Sequence, residues 1–246
     1  LPLKLTASGI SRELVNAAQP PELIPRPLFL AEESGLSGAE RGTATHAALQ
    51  GLEIEALRSL EGDALHGAVV RQLNGLTESG QLTRTMREAV RPITLLRFLE
   101  SDLGRRMRRA EVLRREWMFT LKMSTLEAVG IESGESLLMM GSVDCCFEED
   151  GQWVLLDYKT DRTNDEAALL ERYTPQLTLY ARALERITAK PVKEVWLCLL
   201  GANRQIAVDV SRPIRPGVPE PVPAELPAFD YIAPSEDEAM PRDDEA

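Results

Sequence analysis

Apolar residues recur every three or four positions through the first half of the chain, the spacing typical of helices with one buried face. Thr43 is predicted to cap the first of these helices. The helices predicted from this spacing cover residues 43–60, 64–78, 83–88 and 93–110. Ahead of them, a short helical pattern near residues 11–18 precedes the prolines of residues 20–27, which indicates an arm that wraps over the surface.

The period changes at Glu116, after which every second residue is apolar, as in a strand with one buried face. Two further strands are predicted over Leu137–Glu148 and Gln152–Tyr158, and Asp150-Gly151 between them is a strong signal for a two-residue hairpin turn. A helix over Tyr173–Thr188 and strands over Val192–Leu200 and Arg204–Val210 complete the pattern. This order predicts an α/β fold: a mixed central β-sheet flanked by helices, with a helical N-terminal portion.

The chain divides into three predicted parts. Residues 1–42 form the arm, residues 43–211 a single globular domain, and residues 212–246 a Pro-rich acidic tail. The tail cannot bury enough apolar surface to fold alone, so we expect it to be disordered. Because the chain starts with Leu1 rather than Met, we expect a fragment of a longer protein.

The net charge of −11 argues at first against a polyanionic partner, because proteins hold nucleic acids largely through Lys and Arg. Its distribution changes this picture. Residues 217–246 hold nine acids against Arg242, so this stretch carries −8 and the rest of the chain only −3. Seven arginines cluster between Arg97 and Arg115, which predicts either a basic face or an ordinary solvated helix surface.

Composition places the chain among ordinary globular proteins, since 43% of its residues are hydrophobic and 27% are charged. Its longest apolar runs are too short to cross a bilayer, so no membrane partner is expected. No secretory signal is found, and we expect a cytoplasmic protein. The three cysteines lack the paired spacing of a zinc site and are expected to be buried as small apolar residues.

The predicted hairpin fixes how two acids face each other. With the turn at residues 150–151, counting outward places Asp144 directly opposite Asp157. Opposed side chains on one face have Cβ atoms about 5 Å apart, where like charges repel each other. A divalent cation between them would turn that repulsion into binding. Lys159 shares the face of Asp157, because residues two apart on a strand point to the same side.

Two carboxylates and an ammonium at one spot match the needs of phosphodiester hydrolysis. A hard cation such as Mg²⁺ prefers oxygen ligands, activates water and offsets charge on the phosphoryl group. The alternative is a surface ion pair of Lys159 with Asp157 or Asp161, because acid-x-Lys triplets are common by chance. The opposed Asp144 favours the catalytic interpretation.

Four short motifs then occur in a fixed order. They are Gly42-Thr43-Ala44-Thr45-His46, Gly141-Ser142-Val143-Asp144, Asp157-Tyr158-Lys159-Thr160-Asp161 and Gln176-Leu177-Thr178-Leu179-Tyr180. Together they resemble the motifs of the RecB-like branch of the PD-(D/E)XK nucleases, and within it the nuclease domain that ends AddA helicase–nucleases. The resemblance covers about residues 5–210. Any one motif is weak, whereas four in order are specific.

The resemblance implies a restriction-endonuclease-like fold and a role for each matched residue. The metal ligands would be His46, Asp144, Asp157 and the backbone carbonyl of Tyr158, and Lys159 would orient or stabilise the attacking hydroxide. The expected metal is Mg²⁺; Mn²⁺ or Ca²⁺ could occupy the site, Ca²⁺ without supporting catalysis. The four cysteines that frame iron–sulfur members of the group are absent, so no cluster is expected.

The resemblance also implies accessory residues and a setting. Gln176 and Tyr180, four apart and hence on one helical face, match the family's pair near DNA and the site. The implied function is exonuclease cleavage of DNA, as single strands at the site, in double-strand break repair and recombination. The implied partners are attached helicase subunits of the AddB kind. No Gly-x-x-x-x-Gly-Lys-Ser/Thr loop occurs here, so the chain itself is not the ATP-driven motor.

Each assignment has an alternative. His46 could be a hydrogen-bonded helix residue, and Gln176 and Tyr180 could simply pack their helix, with the Tyr hydroxyl bonded to Gln. Glu116 could serve a second metal, although a solvated glutamate at a strand end is simpler. For the whole chain, the alternatives are a non-catalytic nuclease-fold module for DNA binding or for assembly with other subunits, and a metal enzyme that acts on small phosphate esters.

Overall fold

The computed structural model describes residues 4–6, 36–124, 136–160 and 165–211. The helical pattern near residues 11–18, the proline-rich passage and the acidic tail lie outside these ranges. Of the arm predicted over residues 1–42, Lys4–Thr6 forms a strand and the stretch from Gly38 belongs to a helix.

The described residues begin with a short strand, followed by the helices of the first half and then by strands with one helix between them. Apart from the strand Lys4–Thr6, this is the order that the sequence predicted. The helices are α1 (Gly38–Gly51), α2 (Ile54–Leu57), α3 (Gly62–Glu78), α4 (Arg84–Ala89), α5 (Pro92–Glu100), α6 (Asp102–Arg109) and α7 (Glu166–Thr188). The strands are β1 (Lys4–Thr6), β2 (Leu113–Ser124), β3 (Ser136–Glu149), β4 (Gln152–Lys159), β5 (Val192–Leu199) and β6 (Arg204–Ala207).

These strands join in one mixed sheet centred on β3 and β4. β3 pairs with β2 and β4 in the antiparallel sense and with β1 in the parallel sense. β5 runs parallel to β4, and β6 is antiparallel to β5. A mixed sheet flanked by helices confirms the predicted fold class.

Helices cover both faces of this sheet. On one face, α1 to α6 form a helical layer that packs against strand residues such as Phe147, Leu156 and Tyr158. On the other face, α7 packs against Leu155 and Leu197. Alternate residues of β4 therefore belong to different cores, as the period of a strand requires. No helix of the described ranges has the length and apolar character needed to cross a bilayer.

The hairpin between β3 and β4 is confirmed. Asp150 and Gly151 have φ angles of 55° and 74°, the left-handed backbone that a type I′ turn needs at both central positions. The predicted register holds outward as far as the pair Cys145 and Leu156. Cys145, its neighbour Cys146 and Cys198 of β5 are buried free thiols, as predicted.

The first helix begins at Gly38, so the prediction that Thr43 caps it was wrong. Ser37 accepts a hydrogen bond from the Glu40 N–H at 3.2 Å, and the Glu40 carboxylate accepts one from the Ser37 N–H at 2.7 Å. This reciprocal capping box satisfies two N–H groups that the helix leaves open. Thr43 instead donates its hydroxyl to the Ala39 carbonyl inside the helix.

The single helices predicted over residues 43–60 and 93–110 are each divided. In the second, Ser101 takes an extended backbone and its hydroxyl accepts the Gly104 N–H at 3.1 Å, which starts α6. Gly104 permits the close approach of the two helices, since a Cβ there would lie 2.0 Å from the Phe98 carbonyl oxygen. A local cap thus overrides a continuous apolar pattern.

The last helix is longer than predicted. It begins at Glu166 rather than Tyr173, because the Asp165 carboxylate accepts the Ala168 N–H at 3.0 Å and caps an earlier turn. Pro175 lies inside the helix, where it gives up one backbone hydrogen bond.

The arginines between Arg97 and Arg115 do not form one basic face, because several of them make internal contacts. Arg106 bridges Glu149 at 2.7 Å and Glu194 at 2.9 Å. Arg115 donates to two carbonyls at the end of α1, at 2.8 and 2.6 Å. These guanidinium groups hold the helical layer to the sheet.

Arg108 makes the most extensive of these contacts. Its side chain is 1% exposed and donates to the carbonyls of Leu57 at 2.6 Å, Leu60 at 2.8 Å and Leu99 at 3.1 Å. It also pairs with the Glu61 carboxylate at 3.1 Å. One buried guanidinium therefore ties the ends of α2 and α5 to α6.

We expect Arg108→Ala to lower the free energy of unfolding by about 3–5 kcal/mol, because it leaves buried carbonyls without a donor. Urea-induced unfolding followed by circular dichroism measures the difference. Arg109→Ala, at the exposed neighbouring position, is the control and should stay within about 0.5 kcal/mol of the unmodified chain. Equal stability of the two variants would contradict the role given to Arg108.

Candidate active site

The candidate site lies where β3 and β4 separate. Their ladder ends at Cys145 and Leu156, and β4 continues beside β5 alone. There, the Asp144 carboxylate accepts the Tyr158 N–H at 2.7 Å. A side chain thus replaces the backbone partner that the ladder would have supplied. Asp144 and Asp157, which were predicted to lie directly opposite each other, fall one step beyond the last ladder pair, and the charge of Asp157 still acts on Asp144.

Asp157 and Lys159 lie on the face of β4 that points toward α7, as predicted from their spacing. The Lys159 ammonium contacts Asp157 Oδ2 directly. Apart from this ammonium, that buried oxygen finds no hydrogen-bond donor among the described residues. The Lys159 Nζ atom also lies 4.9 Å from the centre of the Tyr173 ring, a cation–π contact.

His46 reaches the same place from α1. Its Nε2 atom is 2.9 Å from the Tyr158 carbonyl oxygen, so two of the predicted metal ligands contact each other. Its Nδ1 atom lies 3.6 Å from Asp144 Oδ1 and 3.8 Å from Glu116 Oε1. The predicted residues therefore converge from three separate elements, α1, β3 and β4.

Glu116 is the site residue that the sequence interpretation set aside. It lies within β2 rather than at a solvated strand end, and its Oε2 accepts the Ser142 hydroxyl at 3.1 Å. Its φ angle of 47° is left-handed, an uncommon conformation for a residue with a side chain. The β2–β3 register, with Arg115 opposite Cys145, places Glu116 directly across from Asp144. The sequence has no turn signal between β2 and β3 that would have fixed this register.

Both strands change faces at this point. In β2, Leu113 packs on the side of the helical layer, whereas Trp117 packs on the side of α7. In β3, Val143 faces α7 and Cys145 faces the helical layer, although a regular strand would keep both on one side. The irregularity turns both carboxylates, at 116 and 144, toward His46.

The charges of the centre shift one another's pKa values. Burial and the negative charge of Asp157 raise the pKa of Asp144 to about 7. Burial lowers the pKa of His46, but the carboxylates of Glu116 and Asp144 outweigh it and the net shift is upward. Burial also opposes the charge of Lys159, yet Asp157 and Asp144 raise its pKa above the ordinary value, so Lys159 stays charged.

These donors fit a divalent cation. Ligand atoms of His46, Glu116 and Asp144 lie within 4.8 Å of one another. Carboxylate oxygens, a backbone carbonyl and an imidazole are together suited to Mg²⁺ or Mn²⁺. The centre adjoins a cleft of about 780 Å³, the active-site cleft, which is lined in part by His46, Glu116, Lys159, Arg172 and Tyr173.

Gln176 and Tyr180 lie on one face of α7, as their spacing predicts. The Gln176 amide donates to the Tyr180 hydroxyl at 2.8 Å. The Tyr180 ring packs edge-on against Phe119, with ring centres 5.7 Å apart. Neither residue lines the active-site cleft. Their contacts in the structure hold α7 against β2.

The raised pKa of Asp144 makes a prediction about stability. Between about pH 4 and 7 the folded chain holds a proton that the unfolded chain has lost, so Asp144 makes the fold less stable as pH rises through this window. In EDTA at about pH 8, we expect Asp144→Asn to unfold with a free energy higher by about 1–3 kcal/mol. The gain should shrink toward about pH 5.

Urea unfolding at the two pH values measures this effect. Asp63→Asn, at an exposed position in the first turn of α3, is the matched control and should lower stability slightly, by less than about 1 kcal/mol, because the helix dipole favours an acid there. A destabilised Asp144→Asn chain at both pH values would contradict the assignment of a costly buried charge.

Comparisons with known proteins agree with this geometry. The profile of the PD-(D/E)XK nuclease superfamily matches residues 23–240. Three similar proteins are each described as the A subunit of an ATP-dependent helicase/nuclease. Identity is 32% with that of Clostridium novyi over 76% of this chain, 32% with that of Clostridium botulinum strain Loch Maree over 85%, and 38% with that of Heliobacterium modesticaldum over 74%.

These relatives are much longer than this chain, which spans 15%, 17% and 13% of their respective lengths. Among solved structures, the crystal structure of SSO0001 is 16% identical over 60% of this chain and 61% of that chain, with a TM-score of 0.31. The family profile covers most of the described residues, including every element from α1 to β6. The chain therefore belongs to the PD-(D/E)XK nuclease superfamily, and its mixed sheet with flanking helices is the nuclease fold of that family.

Proposed function

We propose that the chain is a metal-dependent deoxyribonuclease domain that hydrolyses phosphodiester bonds of DNA. One observation carries the proposal: His46, Asp144 and the Asp157–Lys159 pair converge from α1, β3 and β4 beside a cleft that His46 and Lys159 line. Their residue types supply cation ligands and a charged donor, the two components that phosphoryl chemistry needs.

The cation, Mg²⁺ in this proposal, would be held by His46, Asp144, Asp157 and the Tyr158 carbonyl. We add Glu116 as a further ligand because its Oε1 atom and Asp144 Oδ1 both lie close to His46 Nδ1. When bound, such a cation activates water and offsets charge on the phosphoryl group. The Asp157 oxygen that has no hydrogen-bond donor other than Lys159 in the described part of the chain is an acceptor suited to it.

Lys159 contributes a fixed positive charge. Its contact with Asp157 and its place over the Tyr173 ring restrict the ammonium to one side of the centre. There it would orient the attacking hydroxide or bind an oxygen of the phosphoryl group as negative charge develops. A donor fixed before the reaction lowers the barrier without the cost of reorganisation.

The wider role is proposed from the relatives, which are helicase/nuclease subunits. We propose an exonuclease domain within a longer cytoplasmic helicase–nuclease, with an AddB-like partner, that acts on single strands during double-strand break repair and recombination. Gln176 and Tyr180 are proposed as accessory residues that hold α7 in place beside the site.

The first test is degradation of end-labelled single-stranded DNA with Mg²⁺. We expect Asp157→Ala and Lys159→Ala each to reduce the rate by at least about a hundredfold, because each removes charge stabilisation of the transition state. Asp63→Ala and Lys122→Ala make the same changes at exposed positions and should retain full activity. Equal activity of all five chains would place the chemistry elsewhere.

The same assay separates the alternatives. A chain that binds DNA but degrades none in any metal would be the non-catalytic module. A chain that hydrolyses nucleotide esters but no polymer would be the small-ester enzyme. Either result contradicts the proposed function.

The role of Glu116 has its own test. We expect Glu116→Gln to raise the Mg²⁺ concentration at half-maximal rate by about tenfold or more, because metal sites weaken by this order when a supporting group is lost. The rate at saturating Mg²⁺ should fall less. Glu111→Gln, at an exposed position, is the control. An unchanged Mg²⁺ requirement would remove Glu116 from the ligand set.

A further inference from the structure

A second cleft adjoins the active-site cleft. It has a volume of about 320 Å³ and lies between the start of α1, the start of α5 and the end of β4. Gly38 and Thr160 line both clefts, so the two are neighbours. Arg41, Arg91 and Thr94 are among the other residues that line the second cleft.

The two clefts carry cations without carboxylate partners in the described part of the chain. Arg41 and Arg91 in the second cleft and Arg172 in the first are exposed, and none makes a salt bridge there. Elsewhere on the surface, Arg106 and Arg204 are paired with glutamates at 2.7 and 2.6 Å. Arg41 also donates to the Leu36 carbonyl at 2.6 Å, which leaves Arg91 and Arg172 as the cleft arginines best placed to bind an anion.

Arg172 is linked to the reaction centre through one aromatic ring. The Tyr173 ring has the Lys159 Nζ atom 4.9 Å from its centre and the Arg172 Cζ atom 5.1 Å from it. The contact with this ring places the Arg172 guanidinium beside the centre. Neighbouring phosphates of one strand could contact Lys159 and Arg172 in turn.

We infer that the two clefts form one track for a single strand of DNA, which crosses at Gly38 and Thr160, with Arg91 binding a phosphate on one side of the reaction centre and Arg172 on the other. The inference rests on the proposed nuclease function and adds the path of the DNA strand through the two clefts. Arginine suits this task because its planar fork of donors binds phosphate oxygens in pairs.

A single strand fits this track better than a duplex. The acids and Lys159 are largely buried, so the scissile phosphate must enter the cleft to reach them. A flexible single backbone can follow two adjoining clefts, whereas a stacked duplex is stiff and would lie across their openings. Positively charged grooves that follow the backbone are the usual way of binding single strands without sequence preference.

Gly38 is a suitable position for a test, because it lines both clefts. A Cβ added there would meet only the Arg41 Nη2 atom, at 4.0 Å, so the fold accommodates a side chain. Gly38→Leu should therefore obstruct the crossing and leave the ligands of the centre in place. Gly75→Leu on α3, where a Cβ meets nothing within 4 Å, is the matched control.

The experiment measures binding of a fluorescent oligothymidylate of about 12 nucleotides, within the usual site sizes of single-strand grooves, by anisotropy over a range of salt concentrations. Ca²⁺ replaces Mg²⁺, and a gel checks that the strand stays intact. The chains compared are the unmodified protein, Arg91→Ala, Arg172→Ala and Gly38→Leu, with Arg97→Ala and Gly75→Leu as controls. Arg97 is exposed on α5, the helix that directly follows Arg91, but lines neither cleft.

We expect each cleft arginine variant to weaken binding several-fold and to reduce the slope of log affinity against log salt by about 0.7, the value for one phosphate contact on a single strand. Gly38→Leu should weaken binding without changing protein charge. Affinities and slopes equal to those of Arg97→Ala and Gly75→Leu would overturn the track. Thermal unfolding confirms that every variant is folded.

Failure of the track and failure of the proposed nuclease function give different results. Binding along the track by a chain that cleaves nothing would refute the nuclease and leave the track standing. Full cleavage and unchanged binding in Arg91→Ala and Gly38→Leu would leave the nuclease standing and refute the track.

Discussion

The arrangement of the site depends on the hydrogen bond from the Tyr158 N–H to the Asp144 carboxylate. Where the β3–β4 ladder ends, a backbone donor would be left buried without a partner, at a cost of about 1–3 kcal/mol. Asp144 satisfies this donor and is thereby held between the two strands. Its second oxygen then faces His46. From this point β4 pairs only with β5, and this part of the strand carries Asp157 and Lys159.

This arrangement lowers the stability of the folded chain, because it places like charges close together at the site. Three carboxylates lie close together, and one of them, Asp144, is charged at neutral pH only with difficulty. The rest of the fold compensates with extensive packing on both faces of the sheet and with buried guanidinium contacts such as those of Arg108. A cation bound at the centre would relieve the same repulsion, so that folding and metal binding favour each other.

The sequence predicted the parts of the site that depend on local rules. The Asp150-Gly151 turn sets the β3–β4 register, and that register brings Asp144 toward Asp157. The place of Glu116 depends on how β2 pairs with β3, two strands joined by a longer connection with no comparable turn signal, so the sequence favours the simpler interpretation of a solvated glutamate. Its left-handed backbone could not be foreseen either, since glutamate has no preference for it.

The backbone and the side chain of Tyr158 make contacts on different sides of β4. Its backbone N–H and carbonyl contact Asp144 and His46, whereas its ring is buried in the helical layer against Phe98 and Met107. The ring can therefore be exchanged for another large apolar group without altering any ligand atom. Loosening of the layer beneath it, however, displaces the carbonyl. The position of this ligand atom therefore depends on the packing of the helical layer as well as on the sheet.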